Sequence, residues 1–374
     1  MQLLLLAYSI NSLSFLTGNH LIANDLQLRM VPIFVFALIV AVLMNYLSIN
    51  AGYGLRGIAI ATILTFSFYS YGTFLVYLQA INNKKPFSFL INIFWRIFIF
   101  TLIGQLPLTF FITKERITSA IGDPMLALRN LDKNLQLLLL LIPFAVGFLG
   151  LWFVVKKIHH RSLLSITTVR DKIDWRRSKY AFLIWAGVTS ILVIGDYILN
   201  PDSYEWNFDL QRFTILFLIA ILLVPIQTSF EEFIFRGYLM QGFAALFKNA
   251  WGPLLMTSII FGCLHLFNPE VEKLGYGILT YYVGTGLFLG IMTLMDGGIE
   301  LALGFHAANN LITALLVTSN WTAFQTESIL IDISNPSLGV ELFLSLFLFY
   351  PLFLLIMSKK YLWKNWKIKL TETL

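Results

Sequence analysis

Cysteine is almost absent from this sequence, and charged residues are scarce. Cys263 is the only cysteine and lies inside an apolar run, so no disulfide framework is available. Charged residues make up 12% of the 374 residues, whereas 58% are hydrophobic and 16% are aromatic. This balance is too apolar for a soluble domain and indicates a polytopic membrane protein. Because the apolar runs are far longer than the strands of a membrane barrel, the predicted fold class is all-α.

Apolar runs long enough to cross the bilayer recur along the chain and predict a membrane helix bundle of about ten spans. A short or interfacial first helix is expected at residues 1–16, since this run has no basic start and no clear cleavage site. The predicted spans are residues 31–48, 57–80, 87–112, 136–155, 181–199, 213–239, 252–267, 276–295, 300–318 and 338–357.

Basic residues predict the orientation of these spans. Residues 156–179 carry eight Lys or Arg against two Asp, and loops of this kind stay on the cytoplasmic side. Alternation of the spans then places segment 200–212 outside and the C-terminus in the cytoplasm. The net charge of +6 lies in loops and points to anionic lipid headgroups, not to nucleic acid. The expected location is an integral, multi-pass membrane protein, in the plasma (inner) membrane if the source is bacterial.

The most informative stretch is Thr228–Arg236, TSFEEFIFR, which places charges at the end of a long apolar run. An ionisable group at membrane depth costs roughly 2.5–3.5 kcal/mol, so these charges indicate a functional site. On a helix, Glu232 and Arg236 share one face, whereas Glu231 points about 100° away. We infer that Arg236 neutralises Glu232 and leaves Glu231 for chemistry. The alternative is an ordinary cytoplasmic helix end whose charges lie in water.

Histidine is also rare, and two of the five histidines lie inside predicted spans. His265 follows Phe261 by four residues, and Asn310 follows His306 by four, which places each pair on one helix face. A lone histidine in a span is usually a hydrogen-bonded core residue. Two histidines, an asparagine and two glutamates in successive spans instead predict a shared intramembrane polar pocket, because burying them separately would cost several kcal/mol.

These motifs resemble those of the CAAX protease and bacteriocin-processing (CPBP, Abi) family of intramembrane endopeptidases, to which the Ras-converting CAAX prenyl endopeptidase is related. The motifs are Glu-Glu-x-x-x-Arg at 231–236, Phe-x-x-x-His at 261–265 and His-x-x-x-Asn at 306–310. The resemblance extends from Thr228 to Leu316. It implies that residues 201–374 form the catalytic membrane helices, and residues 1–200 are left as N-terminal membrane helices of unassigned role.

The resemblance implies a role for each polar residue. Glu231 would be the general base that, with His265, activates a water molecule. His306 and Asn310 would donate hydrogen bonds to the oxyanion of the tetrahedral intermediate, a contribution of about 3–4 kcal/mol per donor. The expected catalytic residues are Glu231, Glu232, Arg236, His265, His306 and Asn310.

A metal ion is an open alternative at this site. Glu231, His265 and His306 could supply the three protein ligands of a catalytic zinc site with water in the fourth position. The His-Glu-x-x-His signature of soluble zinc proteases, however, is absent from the sequence. No cofactor is therefore certain, and zinc or another divalent metal stays open. We favour water activation by glutamate.

The expected function is an intramembrane endopeptidase that cleaves peptide bonds near the membrane surface. Its partners would be membrane lipids and a peptide or lipidated protein substrate. The resemblance implies removal of a C-terminal tripeptide from a CAAX-type protein, or, in a bacterium, peptide maturation, bacteriocin self-immunity or processing of anchored proteins. The rival classes are a non-catalytic immunity or scaffold membrane protein and a proton-coupled transporter. Confinement of the polar set to the second half disfavours the transporter. The sequence determines neither the substrate nor the oligomeric state.

Overall fold

The structure is a computed structural model that describes residues 103–119, 130–266 and 268–372, with a few isolated positions before residue 102. The chain divides into two compact units, one of residues 1–93 and 109–130 and the other of residues 94–108 and 131–374. The predicted first helix and the spans at 31–48 and 57–80 lie outside the described residues, as does most of the span at 87–112. The second unit holds every predicted site residue. The division predicted at residue 200 stays a prediction.

Helices dominate the described chain, and three strands accompany them. The helices are α1 (Leu106–Ser119), α2 (Lys133–Phe153), α3 (Leu164–Thr167), α4 (Trp175–Leu199), α5 (Leu210–Glu232), α6 (Met240–Phe247), α7 (Trp251–Cys263), α8 (Pro269–Leu274), α9 (Ile278–Asp296), α10 (Glu300–Leu316), α11 (Val340–Leu344), α12 (Tyr350–Tyr361) and α13 (Trp366–Thr371). Turns of π-helix extend α2 at Val154–Ile158, link α5 to α6 at Phe233–Leu239, and link α11 to α12 at Ser345–Phe349.

Five helical segments of the described residues are long and apolar enough to cross a membrane. They are Lys133–Ile158, Trp175–Leu199, Leu210–Phe247, Ile278–Asp296 and Leu342–Tyr361. These segments agree with five of the predicted spans and make the chain an integral membrane protein. The total of about ten spans stays a prediction.

The span predicted at 252–267 is shorter in the structure. Its helix, α7, ends at Cys263 and has 13 residues. At about 1.5 Å per residue, α7 rises about 20 Å, which is less than the roughly 30 Å of a bilayer core. A span was also predicted at 300–318. The helix found there, α10, is short too, with 17 residues.

A small three-stranded sheet departs from the all-α prediction. Strands β1 (Tyr204–Trp206), β2 (Val317–Ser319) and β3 (Leu330–Asp332) pair in the order β1-β3-β2. Strand β1 is antiparallel to β3, with Glu205 opposite Ile331, and β2 is parallel to β3. The sheet therefore ties the loop before α5 to the segment that follows α10.

An aromatic cluster joins α4, α9, α10 and α12 in the core of the second unit. The rings of Trp185 and Phe305 lie 4.3 Å apart between centroids, and those of Phe288 and Tyr350 are stacked at 4.3 Å. Phe353 packs against Phe305 at 5.1 Å. Because Phe305 directly precedes His306, this cluster fixes the part of α10 that carries the histidine.

Glycines on α9 allow the close approach of α7. A Cβ atom added at Gly286 would lie 2.9 Å from Cα of Ser258, closer than real Cβ contacts come. Gly290 packs in the same way against the side chain of Leu254. The GxxxG spacing from Gly286 to Gly290 thus serves packing within the chain.

A cluster of charged side chains joins three segments at one end of the bundle. Arg170 pairs with Asp296 at 2.9 Å and with Glu300 at 3.1 Å, and Arg177 also pairs with Asp296. The indole N–H of Trp363 donates to Asp296 Oδ1 at 3.1 Å. The loop 156–179, the turn before α10 and the C-terminal segment therefore share one end of the unit. Their position on the cytoplasmic side stays a prediction.

Candidate active site

Glu232 and Arg236 form a buried ion pair at the end of α5. Nη1 of Arg236 lies 3.0 Å from Oε1 of Glu232, and both side chains are at most 1% exposed. Nη2 of Arg236 donates to the carbonyl oxygen of Gly286 on α9 at 3.2 Å. The pairing expected from the four-residue spacing is therefore present. The guanidinium also lies 4.8 Å from the ring centroid of Phe261, within range of a cation–π contact.

The helix that carries this pair is not a regular α-helix. Residues Phe233–Leu239 form a π-helical turn, and all seven are buried. Such turns are rare and often occur at functional sites. The sequence predicted a continuous α-helix here, because the apolar run has no residue that marks a wider turn. At Gly237, an added Cβ would lie 2.6 Å from the backbone oxygen of Ile166, so only glycine fits beside that carbonyl.

His306 reaches both glutamates from α10. Its Nδ1 lies 2.7 Å from Oε1 of Glu232, and its Nε2 lies 3.6 Å from Oε2 of Glu231. Because Oε1 of Glu232 already accepts from Nη1 of Arg236, it acts as an acceptor here too, and Nδ1–H of His306 donates to it. The carboxylate thereby fixes the ring and aims Nε2 at Glu231.

Glu231 is the most accessible of the clustered charges, with 14% of its side chain exposed. Its Oε1 accepts a hydrogen bond of 2.6 Å from Nε2 of Gln227, one helical turn earlier. Its Oε2 faces His306 across a distance too long for a direct hydrogen bond. Glu231 thus has one oxygen held by Gln227 and one that faces Nε2 of His306.

Asn310 joins the site through Gln227. Nδ2 of Asn310 donates to Oε1 of Gln227 at 3.1 Å, and Oδ1 of Asn310 accepts from Nδ2 of Asn309 at 3.2 Å. The indole N–H of Trp185 on α4 then donates to Oδ1 of Asn309 at 3.0 Å. Asn310 is therefore linked to the carboxylate of Glu231 through Gln227, and α4, α5 and α10 meet in one hydrogen-bonded chain.

His265 lies beside the cluster and not within it. It follows the last residue of α7, its Nδ1 is 2.8 Å from the carbonyl oxygen of Phe261, and its ring stacks on Tyr282 with centroids 4.0 Å apart. In the part of the chain that the structure describes, no hydrogen bond or ion pair joins His265 to Glu231 or His306. The ring of Phe261 lies 5.0 Å from that of His265 and 6.3 Å from that of His306. Joint activation of water by His265 and Glu231 stays a prediction.

The arrangement does not fit the three-ligand metal site considered from the sequence. Among residues 103–119, 130–266 and 268–372, no group of three His, Cys, Asp or Glu side chains is arranged to hold a metal ion. His306 contacts both glutamates, but His265 has neither a hydrogen bond nor an ion pair to Glu231 or His306 within the described residues. The structure therefore does not gather Glu231, His265 and His306 around one point. The reaction proposed for this chain uses no metal.

Two buried atoms of the cluster stay unsatisfied within the described chain. Oε2 of Glu232 and Nε of Arg236 have no hydrogen-bond partner there. Unsatisfied buried polar atoms are rare in proteins and are frequent at functional sites, where they store strain or await another group. Their position supports the assignment of a site to this region.

Three members of the site escaped the sequence prediction. Gln227 had a usable signal, since it precedes Glu231 by four residues inside the same apolar run. Asn309 stood next to Asn310 but on a different helix face. Trp185 gave no signal, because a tryptophan in an apolar span is typical of packing alone.

The fold and the site define a class of protein: an integral membrane helix bundle that encloses carboxylate, imidazole and guanidinium groups. Residues 210–312 match the model of the family described as Type II CAAX prenyl endopeptidase Rce1-like. This segment of the chain is similar to that family, and the predicted resemblance is confirmed. The matched residues include all those from Glu231 to Asn310.

A bacterial relative adds to the comparison. The chain is 37% identical over 173 residues to a protein of Bacillus subtilis (strain 168) described as uncharacterized protein YyaK. The match covers 45% of this chain and 57% of the relative, so the chain spans less than two thirds of that protein's length. No solved structure matches this chain.

Proposed function

We propose that this chain is an intramembrane endopeptidase that hydrolyses peptide bonds near the membrane surface. One observation carries the proposal, namely the 3.6 Å separation of Glu231 Oε2 and His306 Nε2. A water that contacts both atoms at about 2.8 Å would lie to one side of the line that joins them. The family match at residues 210–312 supports the reaction type.

In the proposed reaction, Glu231 is the general base. It takes a proton from the water while the water oxygen bonds to the carbonyl carbon of the scissile peptide. The tetrahedral intermediate then collapses, the carbon–nitrogen bond breaks, and the same proton passes from Glu231 to the leaving amine. General-base catalysis of this kind contributes typically about 10²–10⁴-fold to the rate.

His306 stabilises the oxyanion in this scheme. This role requires a proton on both ring nitrogens, because Nδ1–H already donates to Glu232. A protonated ring donates from Nδ1 to Glu232 and retains an N–H at Nε2 for the developing oxyanion. One N–H of the Asn310 amide is used by Gln227, and the other is assigned to the same oxyanion.

The substrate class follows from the family in which residues 210–312 fall. We propose C-terminal processing of a lipidated, CAAX-type protein by release of a tripeptide. A site enclosed by spanning helices favours substrates that are already held at the membrane, because anchoring removes the search through bulk water. Unlipidated peptides and bacteriocin precursors are the competing substrates that the experiment must include.

The decisive experiment compares cleavage of a mixed peptide library, including prenylated C-terminal peptides, by the detergent-purified protein and its Glu231→Gln variant. Glu205→Gln is the matched control, because Glu205 is exposed on β1 and lies outside the cluster. We expect cleavage by the protein and by Glu205→Gln, and cleavage that is slower by about 10²–10⁴-fold in Glu231→Gln.

Failure of the unaltered protein to cleave any peptide class would overturn the proposal. Two hypotheses would then remain, namely a non-catalytic immunity or scaffold protein and a proton-coupled transporter. A proton flux in sealed vesicles that is lost in Glu231→Gln would select the transporter, and the absence of flux would select the scaffold.

A further inference from the structure

The hydrogen bonds beside Glu231 form a chain whose direction is fixed at both ends. At one end the carboxylate of Glu231, in the form that a general base requires, can only accept hydrogen bonds. At the other end the indole nitrogen of Trp185 can only donate. The groups between these ends are three side-chain amides, each of which could in principle point either way.

The two ends determine how every amide points. Because Glu231 only accepts, the amide nitrogen of Gln227 faces it, and the amide oxygen of Gln227 faces Asn310. Asn310 must then offer its nitrogen to Gln227 and its oxygen to Asn309. The oxygen of Asn309 is left for Trp185, whose N–H meets it at 3.0 Å. Rotation of any one amide would set two donors or two acceptors face to face.

Packing restricts the same chain. Gln227 is 3% exposed and Trp185 is 5% exposed, so neither can exchange its partner for bulk water. The indole of Trp185 is also held by the rings of Phe305 and Phe353. The orientation of Gln227 is therefore set by the aromatic core and by α10, as well as by its own helix.

We propose that Gln227 is a positioning residue that holds the carboxylate of Glu231 with Oε2 facing Nε2 of His306. Trp185, Asn309 and Asn310 keep the Gln227 amide in the donating orientation. This inference rests on the proposed function for its effect on rate, but the geometry of the Glu231 carboxylate is measurable without any substrate.

The first variant to test is Gln227→Leu, which keeps the approximate size of the side chain and removes its donor. The matched control is Gln136→Leu, because Gln136 is also a buried glutamine on a spanning helix but donates to the backbone oxygen of Leu131. We expect kcat to fall about 10–100-fold in Gln227→Leu, with KM changed by less than about twofold, since the reacting groups are misaligned and binding is kept. We expect Gln136→Leu to retain the unaltered kcat.

The second readout is infrared spectroscopy of the Glu231 carboxylate. Its antisymmetric stretch is identified by subtraction of the Glu231→Gln spectrum and is sensitive to hydrogen bonding. We expect this band to shift in Gln227→Leu and to stay in place in Gln136→Leu.

Two further variants test the direction of the chain. Asn309→Asp replaces a donor by an acceptor and forces the next amides to turn, so the Glu231 band should shift as it does in Gln227→Leu. Trp185→Phe keeps a smaller aromatic ring and removes the indole N–H, so it should shift the band in the same direction by a smaller amount. If Gln227→Leu does not fold, Asn309→Asp and Trp185→Phe still test the inference through the position of the Glu231 band.

The outcomes separate this inference from the proposed function. A shifted band together with a lowered kcat supports both. If the unaltered protein cleaves nothing, the band alone decides whether Gln227 positions the carboxylate. An unshifted band in Gln227→Leu, or in both Asn309→Asp and Trp185→Phe if Gln227→Leu does not fold, overturns the inference, and so does a shifted band with an unaltered kcat.

Discussion

Nδ1 of His306 lies 2.7 Å from Oε1 of Glu232, and the same oxygen accepts from Nη1 of Arg236 at 3.0 Å. One carboxylate oxygen thus holds donors from two different segments of the chain. The two adjacent glutamates therefore lie in different environments. The Glu232 side chain is fully buried, whereas that of Glu231 is 14% exposed. Glu232 is expected to be a structural group and Glu231 a chemical one.

The first prediction concerns Glu232. The Glu232→Gln variant leaves the Arg236 guanidinium buried without its charge partner, and loss of one member of a buried pair typically costs about 3–5 kcal/mol. We expect a decrease of that order in the free energy of unfolding in detergent. In a double-mutant cycle, Glu232→Gln with Arg236→Gln should cost less than the sum of the single changes. A strictly additive cycle would show that the pair is not coupled.

The second prediction is that replacement of Glu231 hardly changes the free energy of unfolding. In Glu231→Gln the new amide oxygen can still accept from Gln227, and no buried cation loses its only partner. We expect the free energy of unfolding to change by less than about 1 kcal/mol, while kcat/KM falls about 10²–10⁴-fold. A large loss of stability in this variant would place Glu231 in the structural group with Glu232.

The third prediction concerns the charged cluster at the end of α9. Asp296→Asn removes the charge that Arg170 and Arg177 share, and weakens the acceptor for Trp363. Because both arginines are partly exposed, we expect a loss of about 1–3 kcal/mol in the free energy of unfolding. Asp202→Asn, at an exposed residue of the opposite end, is the control. Equal stability of the two variants would contradict a role for the cluster.

The fourth prediction is a dependence of stability on pH at His159. The pKa of His159 is lowered because burial disfavours the charged imidazole and Arg161 adds a like charge nearby. The unfolded chain therefore binds a proton at higher pH than the folded protein, so stability from this group is lost as the pH falls below about 6.5.

His159→Gln tests this sign. We expect the variant to show a smaller drop in unfolding temperature between about pH 7 and about pH 5.5 than the unaltered protein. His160→Asn is a suitable control, because His160 is exposed and asparagine tolerates its positive φ. A larger drop in His159→Gln would reverse the assigned sign.

The fifth prediction concerns metal ions. Because no step of the proposed reaction passes through a metal, cleavage should persist after exhaustive treatment with a chelator. The measurement is kcat/KM before and after chelation, and again after zinc is added back. Loss of activity on chelation with recovery in zinc would restore the ligand set of Glu231, His265 and His306 as the working hypothesis.

The motifs around Glu231 and His306 were readable from the sequence because they rely on helical spacing. The four-residue separation of Glu232 and Arg236 survives the π-helical turn, and the same separation places Asn310 beside His306. Charge inside an apolar run is costly, so it marks a site even when the fold is unknown.

Other features depend on contacts that are remote in sequence. The link between Trp185 and Asn309 joins residues 124 positions apart, and no local pattern encodes it. Asp296 and Glu300 were not singled out, because acidic residues at a helix end are usual in water. The sheet was missed because strands of three residues are too short to show alternation. The early end of α7 was missed because apolar residues continue past Cys263.

The early end of α7 bears on the supply of water to the reaction. A hydrolase consumes one water molecule for each bond that it cleaves, whereas the hydrocarbon core of a bilayer is dry. A helix that rises about 20 Å is about 10 Å shorter than that core, so lipid beside it must thin or be replaced by protein loops and solvent. His265 lies two residues beyond the end of α7. The length of α7 can therefore limit the rate of the proposed reaction. A longer α7 should reduce the access of water to the site, with every polar residue of the site unchanged.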